Sequence, residues 1–112
     1  TFYLRSANYD ATGEYTVEGM VVLAGSKAKK EIAPSMNKGS FGKKRQGLIA
    51  DGAMKLDGDF YVFQRNVLFK SPSGAADAVT GASTNGWALW KSKTGKTLDE
   101  LKRQAPMNKS MS

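Results

Sequence analysis

Apolar and polar residues alternate through the first part of the chain, and short apolar clusters between turn signals dominate the rest. Tyr9, Ala11, Gly13, Tyr15 and Val17 fall at every second position. That period predicts a strand with one buried face. Phe2-Tyr3-Leu4 reads as a short strand before it. Glu18-Gly19 can turn the chain, so Met20 to Ala24 reads as the return arm of a hairpin, ended by Gly25-Ser26. Ala53 to Leu56 and Phe60 to Phe63 flank Asp57-Gly58-Asp59. Asp-Gly between apolar runs predicts a second hairpin, because glycine accepts the positive φ of a tight turn. Val67-Leu68-Phe69 continues as a strand or extended segment.

Helical signals are shorter. A helix is expected from about Gly42 to Ala50, with Leu48 and Ile49 toward the core and Lys43, Lys44 and Arg45 toward water; Asp51-Gly52 stops it. Ser71 caps a second helix with Pro72 at its first position, and Gly81 ends it in a left-handed cap. Asn85-Gly86 signals a turn, and Trp87 to Trp90 reads as a short strand. Thr97 and Glu100 form a capping box for a last helix to about Gln104, stopped by Pro106. Lys27 to Phe41 has little periodicity and contains Pro34 and Gly39, so it reads as a long, mobile loop. Together these elements predict a single α+β domain, a small antiparallel sheet with two or three short helices. Residues 1–47 supply a hairpin and a basic loop, 48–104 the remaining elements, and 105–112 a frayed tail.

Composition narrows the chemistry. The 112 residues include neither cysteine nor histidine. The thiol nucleophile, the usual general base and the commonest metal ligand are therefore missing together. A zinc site or a Ser-His triad cannot be built within this chain. Thr94-Gly95-Lys96-Thr97 resembles the end of a phosphate-binding P-loop, but Trp90 stands where that motif needs its first glycine. The stretch reads as a turn followed by a helix cap. Asp57 and Asp59 are ordinary turn residues around Gly58, without a third ligand for a cation. No catalysis, metal or cofactor is expected. The apolar runs, Met20 to Ala24 and Phe60 to Phe63, are far shorter than the ~20 residues of a membrane span. The lack of cysteine suits a reducing compartment, and a cytoplasmic location is expected. A chain that begins at Thr1 reads as a piece of a longer protein.

Charge is the strongest positive signal. Seventeen Lys and Arg against ten Asp and Glu give a net charge of +7. Lys27, Lys29, Lys30, Lys38, Lys43, Lys44 and Arg45 fall in one block against Glu31 alone. A second basic block starts with Lys91 and Lys93. Such clusters can form a face for polyanions; the alternative is a solvated, lysine-rich surface. Lys43-Lys44-Arg45 opens a helix, where the helix dipole disfavours cations unless they are solvated or meet an anion. Trp87 and Trp90 would point to opposite faces of a strand but share a face in a helical turn. Core packing is one use for each. Stacking on a nucleobase, worth ~1–3 kcal/mol, is the other.

Phe69-Lys70-Ser71-Pro72-Ser73-Gly74-Ala75-Ala76, then Gly81, then Asn85-Gly86-Trp87-Ala88-Leu89-Trp90, then Gly95-Lys96-Thr97-Leu98 form an ordered pattern. Over about half of the chain, Leu48 to Leu101, it resembles the family called domain of unknown function 4357. The resemblance implies a bacterial or archaeal domain that often follows a GIY-YIG nuclease domain or occurs in restriction-associated proteins. Its Asn-Gly-Trp-x-x-Trp signature is also similar to a domain suggested to read modified DNA. No catalytic residue comes with it. The resulting expectation is a DNA-binding accessory module beside a nuclease domain of the same parent chain. Lys27, Lys29, Lys30, Lys43, Lys44, Arg45, Lys91 and Lys93 would hold phosphates, and Asn85, Trp87 and Trp90 would meet a base or a backbone edge. About six phosphate contacts would cost roughly a thousandfold in affinity between 50 and 200 mM salt. The alternative is a protein-interaction or dimerisation module with no nucleic-acid role.

Overall fold

The computed structural model describes residues 1–31 and 40–104. Within them, β1 (Phe2–Ser6), β2 (Tyr9–Thr16), β3 (Gly19–Val22), β4 (Lys27–Lys29), β5 (Met54–Asp57), β6 (Phe60–Phe63) and β7 (Val67–Phe69) form one sheet in which every pairing is antiparallel. The order is β5-β6-β4-β2-β3-β7, with β1 added beside β2. β2 is the hub. Gly13 pairs with both Phe2 and Val22, and Asp10 with both Arg5 and Lys27. One edge of β2 therefore carries β1, while β3 and β4 share the other. Both expected hairpins form. In the second, Gly58 takes φ 64° between Asp57 and its partner Phe60.

Strand alternation sorts the side chains onto two faces. Phe2, Leu4, Ala11, Met20, Val22, Ala28, Met54, Phe63, Val67 and Phe69 point one way and are buried. On that face lie α1 (Ser40–Ala50), α2 (Pro72–Thr80) and α3 (Gly86–Leu89), and a π-helical turn (Glu100–Gln104) follows. α2 crosses β2, β3, β4 and β7, which its small side chains Ala75, Ala76 and Ala78 permit. Its ends follow the sequence signals. The Ser71 hydroxyl accepts the Gly74 N–H at 3.0 Å, and Gly81 closes the helix at φ 76°. The capping box also forms: the Thr97 and Glu100 side chains each accept the other's backbone N–H. Among the described residues no helix is long and apolar enough to cross a membrane.

Four expectations change. Lys27–Lys29 is a strand, not loop, because Ala28 at its centre is fully buried under α2. The rest of the expected loop from 32 to 39, with Pro34 and Lys38, and the tail from 105 to 112 lie outside the described residues. Helix α1 starts at Ser40 rather than Gly42. Gly86–Leu89 is a helical turn, not a strand: the Asn85 side chain accepts the Trp87 N–H at 3.1 Å and starts a helix there.

Arg45 is the fourth. Gly42, Arg45 and Leu48 recur at three-residue steps in α1 and all face inward. Arg45 is 3% exposed, not solvated. Its Nη2 donates to the Lys29 carbonyl, and its guanidinium lies 5.6 Å from the Tyr61 ring centre. Burial pushes its pKa below the ordinary arginine value, against an opposing effect from Tyr61. Nη1 is buried with no partner among the described residues. The side chain ties α1 to β4, so Arg45→Ala is expected to cost about 2–3 kcal/mol by stranding the Lys29 carbonyl. Urea unfolding measures this, and a cost under about 0.5 kcal/mol would contradict it.

Candidate functional site

Directly opposed residues in an antiparallel sheet project from the same face. Arg5 opposes Asp10, Asp10 opposes Lys27, Lys27 opposes Val62, and Val62 opposes Lys55. This row crosses β1, β2, β4, β6 and β5 on the face away from the helices. Lys29, two residues from Lys27, projects from that face as well. Beyond β1, Lys91 exchanges both backbone hydrogen bonds with Tyr3 at 2.8 and 3.1 Å, which places its side chain there too. Arg5, Lys27, Lys29, Lys55 and Lys91 thus stand on one open face, and all are exposed.

Acids also stand on this face, and two of them are engaged. Asp10 is 3.5 Å from Arg5. Glu14 accepts the Thr1 hydroxyl at 2.6 Å. The Thr1 hydroxyl hydrogen bond holds the Glu14 carboxyl below its usual pKa, against partial burial. Two half-buried rings lie among the cations. The Arg5 guanidinium sits 4.5 Å over Tyr3, and the Lys27 ammonium 5.4 Å over Phe60. At the β1 edge a groove of about 390 Å³ is lined by Tyr3, Arg5, Tyr9, Lys91 and Lys93.

Of the residues singled out from sequence, Lys27, Lys29 and Lys91 share the open face, and Lys93 flanks its edge groove. Lys30 is exposed just past β4, beside Lys29 and Phe60. Lys43 and Lys44 belong to the helical layer instead. Lys44 lies 5.5 Å over Phe69, a ring on the buried face. The basic segments therefore do not merge into a single patch, and Arg45 is inside.

The signature residues build the fold. Trp90 is 0% exposed, and its indole N–H donates to the Pro72 carbonyl at 3.0 Å. A Cβ on Gly86 would come within 2.2 Å of that same carbonyl, so only glycine lets α3 sit directly on the start of α2. The Gly86 N–H donates to the Ser73 hydroxyl at 3.0 Å. Trp87 is half-buried, edge-on to Tyr15 with ring centres 5.5 Å apart. Gly86 and Trp90 together clasp α3 to α2, and Asn85 caps α3. Trp90 therefore offers no ring face to a ligand.

Tyr3, Arg5, Lys55 and Phe60 were not singled out from sequence. For the first two the signal was present: alternation that buries Phe2 and Leu4 must expose Tyr3 and Arg5. For Phe60 it was not, because Phe60-Tyr61-Val62-Phe63 is apolar throughout and hides its own period.

A family model described as a domain of unknown function (DUF4357) matches residues 2–102. The match takes in β1 to β4 as well as the stretch from Leu48 onward that carries the resemblance. No curated protein and no solved structure matches the chain.

Proposed function

The chain belongs to the DUF4357 family, and we propose that it serves as a non-catalytic DNA-binding accessory domain. The carrying observation is the open sheet face, where the strand register sets Arg5, Lys27 and Lys55 in one row beside Lys29 and Lys91. Cations fixed on a sheet are well placed to follow a phosphate backbone. Cleavage, in this reading, belongs to a nuclease or restriction-associated domain of the parent chain, the setting that the family resemblance implies.

Fluorescence anisotropy with labelled DNA at 50 and 200 mM salt tests the proposal. Five phosphate contacts, one per open-face cation, predict an affinity loss of about a hundredfold on a single strand and several hundredfold on a duplex. A flat salt response, or no binding at 50 mM salt, contradicts it. Concentration-dependent self-association without a response to DNA would favour a protein-interaction module instead.

A further inference from the structure

We infer that the open face holds single-stranded DNA, with unpaired bases stacked on Tyr3 and Phe60. This rests on the DNA-binding reading above and narrows it.

Reading a duplex requires an element that enters a groove, commonly a helix or a two-stranded ribbon. The hairpin tips of this domain are unsuited to that. The β5–β6 turn carries Asp57 and Asp59, and the β2–β3 turn carries Glu18. The β1–β2 turn, Ala7-Asn8, has no charge. Acidic tips are repelled by the phosphates that line a groove. Helix α2 has no Lys or Arg and buries Pro72, Ala75, Ala76, Ala78, Val79 and Thr80. The open face instead presents exposed cations around two half-buried rings, with Phe60 standing between Lys29 and the acid Asp57. That combination suits unpaired bases, whose π faces are free to stack.

The spacing also fits a strand. Tyr3 and Phe60 are separated by the strand steps β1-β2-β4-β6 and by four residues of register. With strands ~4.8 Å apart and ~3.3 Å per residue, the rings are roughly 20 Å apart. Several nucleotides span that distance. Arg5 and Lys27 already lie over the two rings. A base that takes the ring face displaces each cation toward the phosphate beside it. The groove between Tyr3, Arg5, Lys91 and Lys93 receives the strand at the β1 edge.

The test is anisotropy at 50 mM salt with a labelled twelve-nucleotide oligothymidine and a labelled duplex of the same length. The proteins are the unmodified chain, Tyr3→Ala, Phe60→Ala and Tyr3→Phe, each checked for folding by thermal unfolding. The single strand is expected to bind at least about tenfold tighter than the duplex. Tyr3→Ala and Phe60→Ala should each weaken it by about five- to a hundredfold. Tyr3→Phe, which keeps the ring, should bind normally, and duplex affinity should stay within about twofold throughout. A duplex that binds as tightly as the single strand, or alanine variants that bind normally, overturns this inference and leaves the DNA-binding reading standing. Failure of both nucleic acids to bind overturns both.

Discussion

Replacing Trp90 with alanine is expected to cost about 3–5 kcal/mol of folding stability. Trp90 heads the fully buried side chains by size, and it joins three parts of the fold. Its indole N–H bonds to Pro72 at the start of α2. Its backbone N–H and carbonyl bond to Gly86 and Leu98 at 3.0 and 2.8 Å. Its ring lies so close to β2 that a Cβ on Gly13 would come within 3.1 Å of it. Alanine removes the packing and the indole hydrogen bond together. Domains are typically stable by only ~5–15 kcal/mol, so this single change approaches the unfolding threshold. Trp90→Phe retains most of the packing but loses the indole hydrogen bond to the Pro72 carbonyl, a loss of about 0.5–1.5 kcal/mol. Urea unfolding followed by circular dichroism measures both. If Trp90 were a surface ring for a base, the alanine variant would stay within about 1 kcal/mol of the unmodified chain and lose DNA affinity instead.

That contrast marks what local patterns could convey. Turn and cap chemistry was legible residue by residue: Gly58, the Ser71-Pro72 cap, Gly81 and the Thr97–Glu100 box all act within a few residues of themselves. The two tryptophans were not. Their placement depends on a close approach between Gly86 and Pro72, fourteen positions apart, and no period in the sequence reports it. Arg45 misled for a related reason. Its neighbours Lys43 and Lys44 made it read as part of a solvated triplet, although its three-residue spacing from Leu48 put it on the inward stripe. The open face was half legible. Alternation gave the orientation of Tyr3 and Arg5, but only strand order brings β1, β4, β5 and β6 side by side. That order arises from non-local pairing, in which β4 inserts between β2 and β6. Linear charge clustering therefore grouped Lys27 with Lys43, whereas the sheet groups Lys27 with Arg5 and Lys55.

The second large effect follows from that regrouping. Lys27→Glu with Lys29→Glu removes two cations from the open face, while Lys43→Glu with Lys44→Glu removes two from α1. Both double variants change the net charge equally, so any shared long-range effect cancels and only location differs. Each phosphate contact contributes ~0.7–0.9 to the salt slope, and two lost contacts plus the new repulsion amount to a loss on the order of a hundredfold at 50 mM salt. Glu14 and Asp10 sharpen the outcome, because acids already on this face are held by Thr1 and Arg5, and added carboxylates would have no comparable partners. On α1 the same substitutions put acids near the positive end of the helix dipole, which favours them. That variant should fold at least as well as the unmodified chain.

The most direct measurement of whether the open sheet face is the DNA surface is the affinity of these two double variants for one labelled single strand at 50 mM salt. A loss on the order of a hundredfold is expected for the β4 pair and less than about threefold for the α1 pair. Equal losses, or a larger loss from the α1 pair, would contradict it.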